Sequence, residues 1–562
     1  MRPQEKLKEL IEQIKRLSIG TNSFLNQRLH FNPPVPGVLR GACGVENIPL
    51  ASGMKPEVAA KLKQLFPHTF TSTTAYRVGL NRNAEASFAG KSLRIGIVLS
   101  GGPAPGGHNI ISGLYDFLQA RNTDSVLVGF LKGPAGLVSG KCVVITDDML
   151  RAFRNQGFNL IGTSRTKIES KQQFEMAKEQ VLRLRLDGIV ICGGDDSNTN
   201  AALLADYFVG ANVPCRVIGM PKTIDADLRS DLLEMSFGFD TSTKCYSSLL
   251  GNVMQECLVR RDRWHFVRLM GRSASHIAVE VALQTHPNYT IVSEEVTEKK
   301  QTILGIVQEI SDLVHQRAKS GKNYGVVLVP EGLEVSRDMK ALVEELNEIL
   351  VASSDNVEGR LSKDNAAVYK QLPDWLRSQL LSERDPHGNV RVSLIESERL
   401  LASLVAKELQ RRKDPYADLF RFWCHFFGYQ GRCALTSNFD CTYTYVLGHL
   451  AGTLVGGATG VIGAVRNLCS PVDEWELVGI PLTSMMRLER RKGKDKPVIE
   501  KKLVDLQGKV FKLFASMRAS WMLGDCYPNR TEIRTGHLSG DHTPTQTLRI
   551  EFPHKQQPSP KL

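Results

Sequence analysis

Residues 187–199 read DGIVICGGDDSNT. The apolar run Ile189-Val190-Ile191, stopped by a glycine pair, describes a buried strand ending in a sharp turn. The following SNTNAALLADYF continues with helical spacing. Strand, glycine turn and helix form the unit from which parallel α/β sheets are built, and such sheets bind ligands at the carboxyl ends of their strands. This turn carries two adjacent carboxylates, Asp195 and Asp196. One acid can hold a hard cation that bridges to phosphate oxygens. A second acid repels phosphate and needs its own explanation. The bland one is that Asp196 or Ser197 caps the helix.

The same unit recurs on both sides. RIGIVLSGG (94–102), RVIGMPK (216–222), HFVRLMG (265–271) and YGVVLVPEG (324–332) are short β-branched runs that end on glycine or proline. Helical stretches separate them, so a mainly parallel sheet is expected. The 335–415 stretch, with MKALVEELNEIL and RLLASLVAKELQRRKD, is charged and helical in period, as an inserted helical subdomain would be. Before Leu93 the chain has one helical stretch, a Pro-rich joint (NPPVPG, 32–37) and a polar run.

Two further strand ends carry chemistry. GGPAPGGHNIISGLYDFL (101–118) places glycines around Pro103 and Pro105 ahead of an amphipathic helix starting near His108. Backbone N–H groups and a helix N-terminus suit an anion. The spacing is neither GxGxxG nor GxxxxGK[ST], so the dinucleotide and P-loop fingerprints both fail. PKTIDADL (221–228) sets Lys222, Asp225 and Asp227 just past an apolar strand. A lysine for phosphate charge beside an aspartate able to accept a hydroxyl proton is the minimum kit for phosphoryl transfer to an alcohol. LMGRSASH, VPEGL and GYQGRC add charged residues beside glycines, and an arginine so placed can grip phosphate with two hydrogen bonds.

Composition limits the alternatives. At 562 residues the chain needs more than one core. The formal charge of +12 is spread along the chain without aromatic interleaving, so nucleic acid is not an expected partner. The densest basic cluster, 487–512, holds ten Lys/Arg against four Asp/Glu and reads as a solvated loop entering a helix. A basic balance also suits anionic substrates. Eleven scattered cysteines without a CxxC pair argue for reduced thiols in a cytoplasm, against a disulfide framework and against zinc. The N-terminal stretch is charged and helical in period, so it is not expected to be a signal peptide. Glycines break the apolar run His449–Val465, which is expected to be buried helix and turn, with no membrane span.

Taken together, GGPAPGGHN, GGDDSNTNAA, PKTIDADL, SFGFDT, LMGRSASHIAVEVALQTHPN, PEGL, GYQGR and MMRLERRKG resemble the phosphofructokinases, over roughly residues 90–520. Within them they match the long, pyrophosphate-dependent group, similar to plant catalytic subunits and some bacterial enzymes. The resemblance implies Rossmann-like, mainly parallel sheets in two α/β domains. It implies reversible, Mg²⁺-dependent phosphoryl transfer from pyrophosphate to fructose 6-phosphate, and a homodimer. The chain then divides into an N-terminal extension (1–92), a pyrophosphate and Mg²⁺ domain (93–225) and a sugar-phosphate domain (226–334). A helical insertion (335–415) and a return segment completing both domains (416–562) follow.

By the same resemblance, Gly101 lies in the loop receiving pyrophosphate, and Asp195 holds the metal. Asp225 is the general base. Lys222, Thr223 and Ile224 flank the transferring phosphoryl group. Met270, Gly271 and Arg272 line the sugar site, Glu331 bonds sugar hydroxyls, and Tyr429 with Arg432 grips the 6-phosphate. Asp196 stands where ATP-dependent relatives usually have glycine. Its bulk and charge would exclude the nucleotide's α-phosphate, which explains the second acid. Two departures stand out: Ala226 replaces the usual glycine between the acids, and Asp262-Arg263 replaces a Lys-Tyr pair. An ATP-dependent phosphofructokinase and a non-catalytic regulatory subunit are the alternatives.

Overall fold

The computed structural model describes residues 9, 28–41, 43–51, 53–80, 91–271, 274–331, 336–352, 356–382, 390, 395–491, 494–528 and 542–554. Among the described residues seven strands precede residue 222: β1 (Cys43–Pro49), β2 (Thr74–Leu80), β3 (Arg94–Leu99), β4 (Val126–Phe130), β5 (Cys142–Val144), β6 (Gly188–Gly193) and β7 (Arg216–Pro221). Then come β8 (Trp264–Leu269), β9 (Tyr289–Thr290), β10 (Gly325–Val329), β11 (Phe422–Phe427), β12 (Val461–Arg466), β13 (Glu476–Pro481), β14 (Met486–Arg491) and β15 (Lys494–Ile499). Helices that bear on the site are α1 (Gly107–Arg121), α2 (Asp195–Gly210), α3 (Phe239–Arg260), α4 (Arg337–Ala352), α5 (Ser397–Arg411) and α6 (Asn438–Val455).

The chain divides into two units. The first comprises Met1–Ser242, Gly431–Lys502 and Ile533–Leu562, and the second Thr243–Gln430 and Leu503–Glu532. The chain therefore leaves the first unit within α3, whereas the sequence suggested a division after Asp225.

In the first unit nine strands form one sheet in the order β1-β2-β13-β12-β7-β6-β3-β4-β5. The five from β12 to β4 are mutually parallel, and the outer strands pair antiparallel. Every residue of β6 is buried, as its unbroken apolar run requires of a central parallel strand covered on both faces. The stretch before Leu93 supplies two strands of this sheet, and Leu62 and Phe66 from it join the core around Val98, Ile189 and Val217. The apolar run His449–Val465 is helix to Val455 and strand from Val461. Glycines let its helix approach α1 closely: a Cβ on Gly448 would stand 2.5 Å from the Ile110 carbonyl oxygen. Among the described residues no helix is long and apolar enough to cross a membrane. All eleven cysteines are free thiols.

The first part of the basic segment is a hairpin where its charge suggested a solvated loop, and its end enters a helix as expected, from Lys509. Antiparallel pairing of β14 with β15 sets Met486 opposite Ile499, and both are buried in the core while the charged residues line the strands between. Two apolar residues at the hairpin's base anchor it against the sheet's helices.

The second unit holds a parallel four-stranded sheet, β11-β8-β10-β9. Its core mixes Trp264, Phe266 and Val327 from the strands with Met339, Leu342 and Leu346 of α4 and Leu400, Leu401 and Val405 of α5. The amphipathic helices of the 335–415 stretch thus bury their apolar stripes against the sheet and share its core.

Candidate active site

Three adjacent strands of the first unit, β3, β6 and β7, end at the same edge of their sheet. The chain turns from β3 toward β4 on one side, while β6 lies on the other, so a topological switch point falls between β3 and β6. Their ends are stitched together by backbone bonds: Ser100 N–H donates to Cys192 O at 2.8 Å, and Lys222 N–H to Gly193 O at 2.9 Å. Asn198 adds a side-chain N–H to Gly193 O at 2.6 Å, and the Ser100 and Ser197 hydroxyls bond at 2.8 Å.

Into this edge the sequence delivers its candidate groups. Lys222 is buried, and its Nζ donates to the Gly102 carbonyl at 2.5 Å. Gly101 has φ 86°, and a Cβ there would sit 3.6 Å from Lys222 Nζ. A Cβ on Gly102 would overlap the Arg432 guanidinium. Lys222 and Arg432 therefore converge on the same glycine pair. Burial first, and then the Arg432 charge, push the Lys222 ammonium down to about 7.

Asp195 and Asp196 open α2. The cap is Gly194, without a side-chain bond, so neither Asp196 nor Ser197 caps this helix. Both acids occupy the first turn, where the helix dipole favours negative charge. Asp196 is exposed and pairs with Lys167 at 3.2 Å. Thr223 and Asp225 form the turn after β7, with Asp225 N–H donating to Thr223 Oγ1 at 3.1 Å, and Ile224 is buried beneath them.

Ala226 has φ 54°, in the left-handed region. A residue with a Cβ is strained there by about 1–2 kcal/mol, a place where glycine would be free of strain. Ala226→Gly should leave the melting temperature unchanged or raise it, whereas the same change within an ordinary helix or strand costs about 0.5–1 kcal/mol. A lowered melting temperature in thermal denaturation would show that the strain is absent.

The structure adds a residue that sequence reasoning missed. Lys501, just past β15, places its Nζ 3.5 Å from Asp195 Oδ2 and 3.5 Å from Asp227 Oδ2. Asp225 also acts on its charge. Burial raises the Asp227 carboxyl, with Lys501 opposing that shift. In the sequence Lys501 is one of ten basic residues in its cluster, and only the hairpin's register singles it out.

In the second unit, Met270 and Gly271 follow β8, Glu331 follows β10, and Tyr429 follows β11. These are the carboxyl ends of three neighbouring strands. Met270 is buried, Gly271 has φ 112°, and Tyr429 is exposed. Arg272 lies outside the described residues. Asp262 is engaged by Arg263 at 2.7 Å and Arg260 at 3.2 Å, and Arg263 stacks 3.8 Å over the Trp423 ring.

Mg²⁺ takes oxygen ligands and is commonly held by one or two carboxylates together with substrate phosphate oxygens. Asp195 and Asp227 fit that description, since they already share one cation, the Lys501 ammonium. Among the described residues no three His, Cys, Asp or Glu side chains are grouped to hold a metal by themselves.

Fold and site together define an α/β protein whose sheet edge gathers a glycine turn, two cationic side chains and a carboxylate cluster, a set suited to phosphate and a hard cation. A phosphofructokinase family model matches residues 94–366. The chain is 46% identical over 559 residues to the pyrophosphate–fructose 6-phosphate 1-phosphotransferase of Treponema pallidum, covering 94% of this chain and 97% of that one. Against the beta 2 subunit of the Arabidopsis thaliana pyrophosphate–fructose 6-phosphate 1-phosphotransferase it is 47% identical over 510 residues, 89% of each. A solved pyrophosphate-dependent phosphofructokinase from Nitrosospira multiformis shares the fold, with TM-score 0.51 at 15% identity over 77% of this chain and 93% of that one. The chain belongs to the phosphofructokinase family.

Proposed function

We propose that this chain is a pyrophosphate–fructose 6-phosphate 1-phosphotransferase, moving a phosphoryl group reversibly from pyrophosphate to the sugar 1-hydroxyl. The products are fructose 1,6-bisphosphate and phosphate. The names of the relatives support the substrates. The observation that carries the chemistry is the convergence of Lys222 and Arg432 on Gly101-Gly102, one strand away from Asp195.

In this reading Asp225 takes the proton as the 1-oxygen attacks phosphorus, and the P–O bond to the leaving phosphate breaks. Lys222 offsets the charge that develops on the transferring group. The Gly101-Gly102 backbone and Arg432 orient the donor. Thr223 and Ile224 shape the turn that aims the base. Met270, Gly271, Arg272, Glu331 and Tyr429 form the sugar-phosphate side, while Arg432, expected from the resemblance on the 6-phosphate, is assigned to the donor turn it lies against. Asp195, with Asp227, would hold Mg²⁺, which would supply positive charge to offset that of the pyrophosphate. A homodimer working in a cytoplasm completes the proposal. The deciding experiment assays the purified chain alone with pyrophosphate and with ATP. Turnover with pyrophosphate supports the reading, ATP-only turnover makes it an ATP-dependent kinase, and inertness with both makes it a regulatory subunit.

Asp196 sets the donor in this reading. It caps nothing, and its exposed carboxylate, paired with Lys167, would serve as a repulsive element against a nucleotide's α-phosphate. Like-charge contact costs on the order of a few kcal/mol, so Asp196→Gly should raise ATP kcat/KM about 10²-fold from background while pyrophosphate turnover falls. Unchanged rates with both donors would remove Asp196 from the site.

A further inference from the structure

The carboxylates assigned to the metal already have a cation. Lys501 Nζ lies 3.5 Å from one oxygen each of Asp195 and Asp227, and Asp225 adds a third negative charge nearby. The arrangement is built in. Lys502 N–H donates to the Asp227 carbonyl at 2.8 Å, the preceding hairpin is pinned by Met486 and Ile499 in the core, and Ile499 N–H donates to Thr199 Oγ1 of α2 at 3.2 Å. Asp227 is only 5% exposed and Lys501 about one third. Such an acid without a counter-charge would be costly to bury.

We infer that Lys501 is a resident counter-ion of the metal subsite, which a divalent cation must displace from Asp195 and Asp227. This rests on the reading of Asp195 as the metal-holding residue. The physical reason is Coulombic. A divalent ion and an ammonium sharing two carboxylates repel each other over a few ångströms in a partly buried setting, where screening is weak. The free enzyme should therefore bind the bare ion poorly. Pyrophosphate changes the balance by bringing several negative charges, which both chelate the ion and give the displaced ammonium a new partner. Lys501 in this role is a positioning residue: it keeps the acids aligned and charge-balanced before substrate arrives, then hands them to a metal that enters with the donor. Its side chain can make that move: the neighbouring Lys502 backbone is tied to Asp227, while the Lys501 side chain, like that of Asp195, is about one third exposed.

The test is Mn²⁺ binding to the purified full chain without substrates, followed by electron spin resonance and by calorimetry. Lys501→Met should bind Mn²⁺ at least tenfold more tightly than the parent, and Lys501→Arg, which keeps the charge, should not. The methionine variant should also gain more in melting temperature from added Mn²⁺ than the parent does. Equal or weaker Mn²⁺ binding by a folded Lys501→Met overturns the inference, and Lys501→Gln is read in its place should the methionine variant not fold. Asp195→Asn, measured with pyrophosphate present, separates the two levels. If it then binds Mn²⁺ as the parent does, the metal-site reading itself fails. If it loses that binding while Lys501→Met gains none without substrate, only the counter-ion role fails.

Discussion

Asp225→Asn should lower turnover by about 10²–10⁴-fold, the range for losing a positioned general base. The substitution keeps the shape of the side chain and its backbone bond to Thr223 Oγ1, so the turn after β7 should persist. Substrate requirements should change far less than turnover, since the amide can still occupy the place of the carboxylate while accepting no proton. The measurement is steady-state kinetics in both directions, with pyrophosphate and fructose 6-phosphate and then with phosphate and fructose 1,6-bisphosphate. Microscopic reversibility requires a comparable loss each way, because the group that takes the proton forward must return it in reverse. Turnover within a few-fold of the parent would assign the proton to another residue.

The second large effect is at Lys222. Its ammonium is buried against Gly102 O and stands beside the Arg432 guanidinium, so it is aimed at whatever anion the glycine turn receives. Lys222→Met keeps the aliphatic stem and removes the charge, and turnover should fall by about 10²–10³-fold, the usual loss when a preorganised charge-stabilising group is deleted. A pH signature accompanies it. With its ammonium lowered to about 7 by burial and by Arg432, Lys222 in the free enzyme is charged below that pH and loses its charge above it. Binding a polyanion favours the charged form. The pyrophosphate KM should therefore rise as pH increases through about 7, and this break should vanish in Lys222→Met. Stability runs in the opposite sense. Above pH 7 the unfolded chain, whose lysine titrates near its ordinary value, binds the extra proton, so this group makes folding more favourable as pH rises from about 7 toward 10. A pyrophosphate KM that is flat across pH 6–8.5 in the parent would take Lys222 away from the donor.

The positions of β3, β6, β7, β8 and β10 were legible in the sequence because a buried parallel strand must be apolar throughout and must end where the chain turns. RIGIVL, GIVICG and RVIGMP obey that rule, and each ends on the glycine, aspartate or lysine that bears the chemistry. Local pattern was misleading where charge dominated it. The 487–512 segment looked like a solvated loop because its lysines and arginines outnumber its apolar residues, yet Met486 and Ile499 at the two ends suffice to close a hairpin. Asp196 looked able to cap α2, but the chain enters the helix two residues earlier, through Gly194.

The sequence by itself determined the α/β class, the strand ends that carry function, and the residue types gathered there: lysine, paired acids, glycine turn. All of these are consequences of near neighbours in the chain, where periodicity and turn chemistry act. Tertiary structure alone decided which groups meet. Arg432 reaches Gly102, and Lys501 reaches Asp195 and Asp227, across more than 270 residues of sequence. It also decided that Ala226 must adopt a left-handed backbone. Such contacts follow from how helices and hairpins pack on a sheet, where a few buried apolar side chains set the register and the charged groups are carried to wherever that register places them.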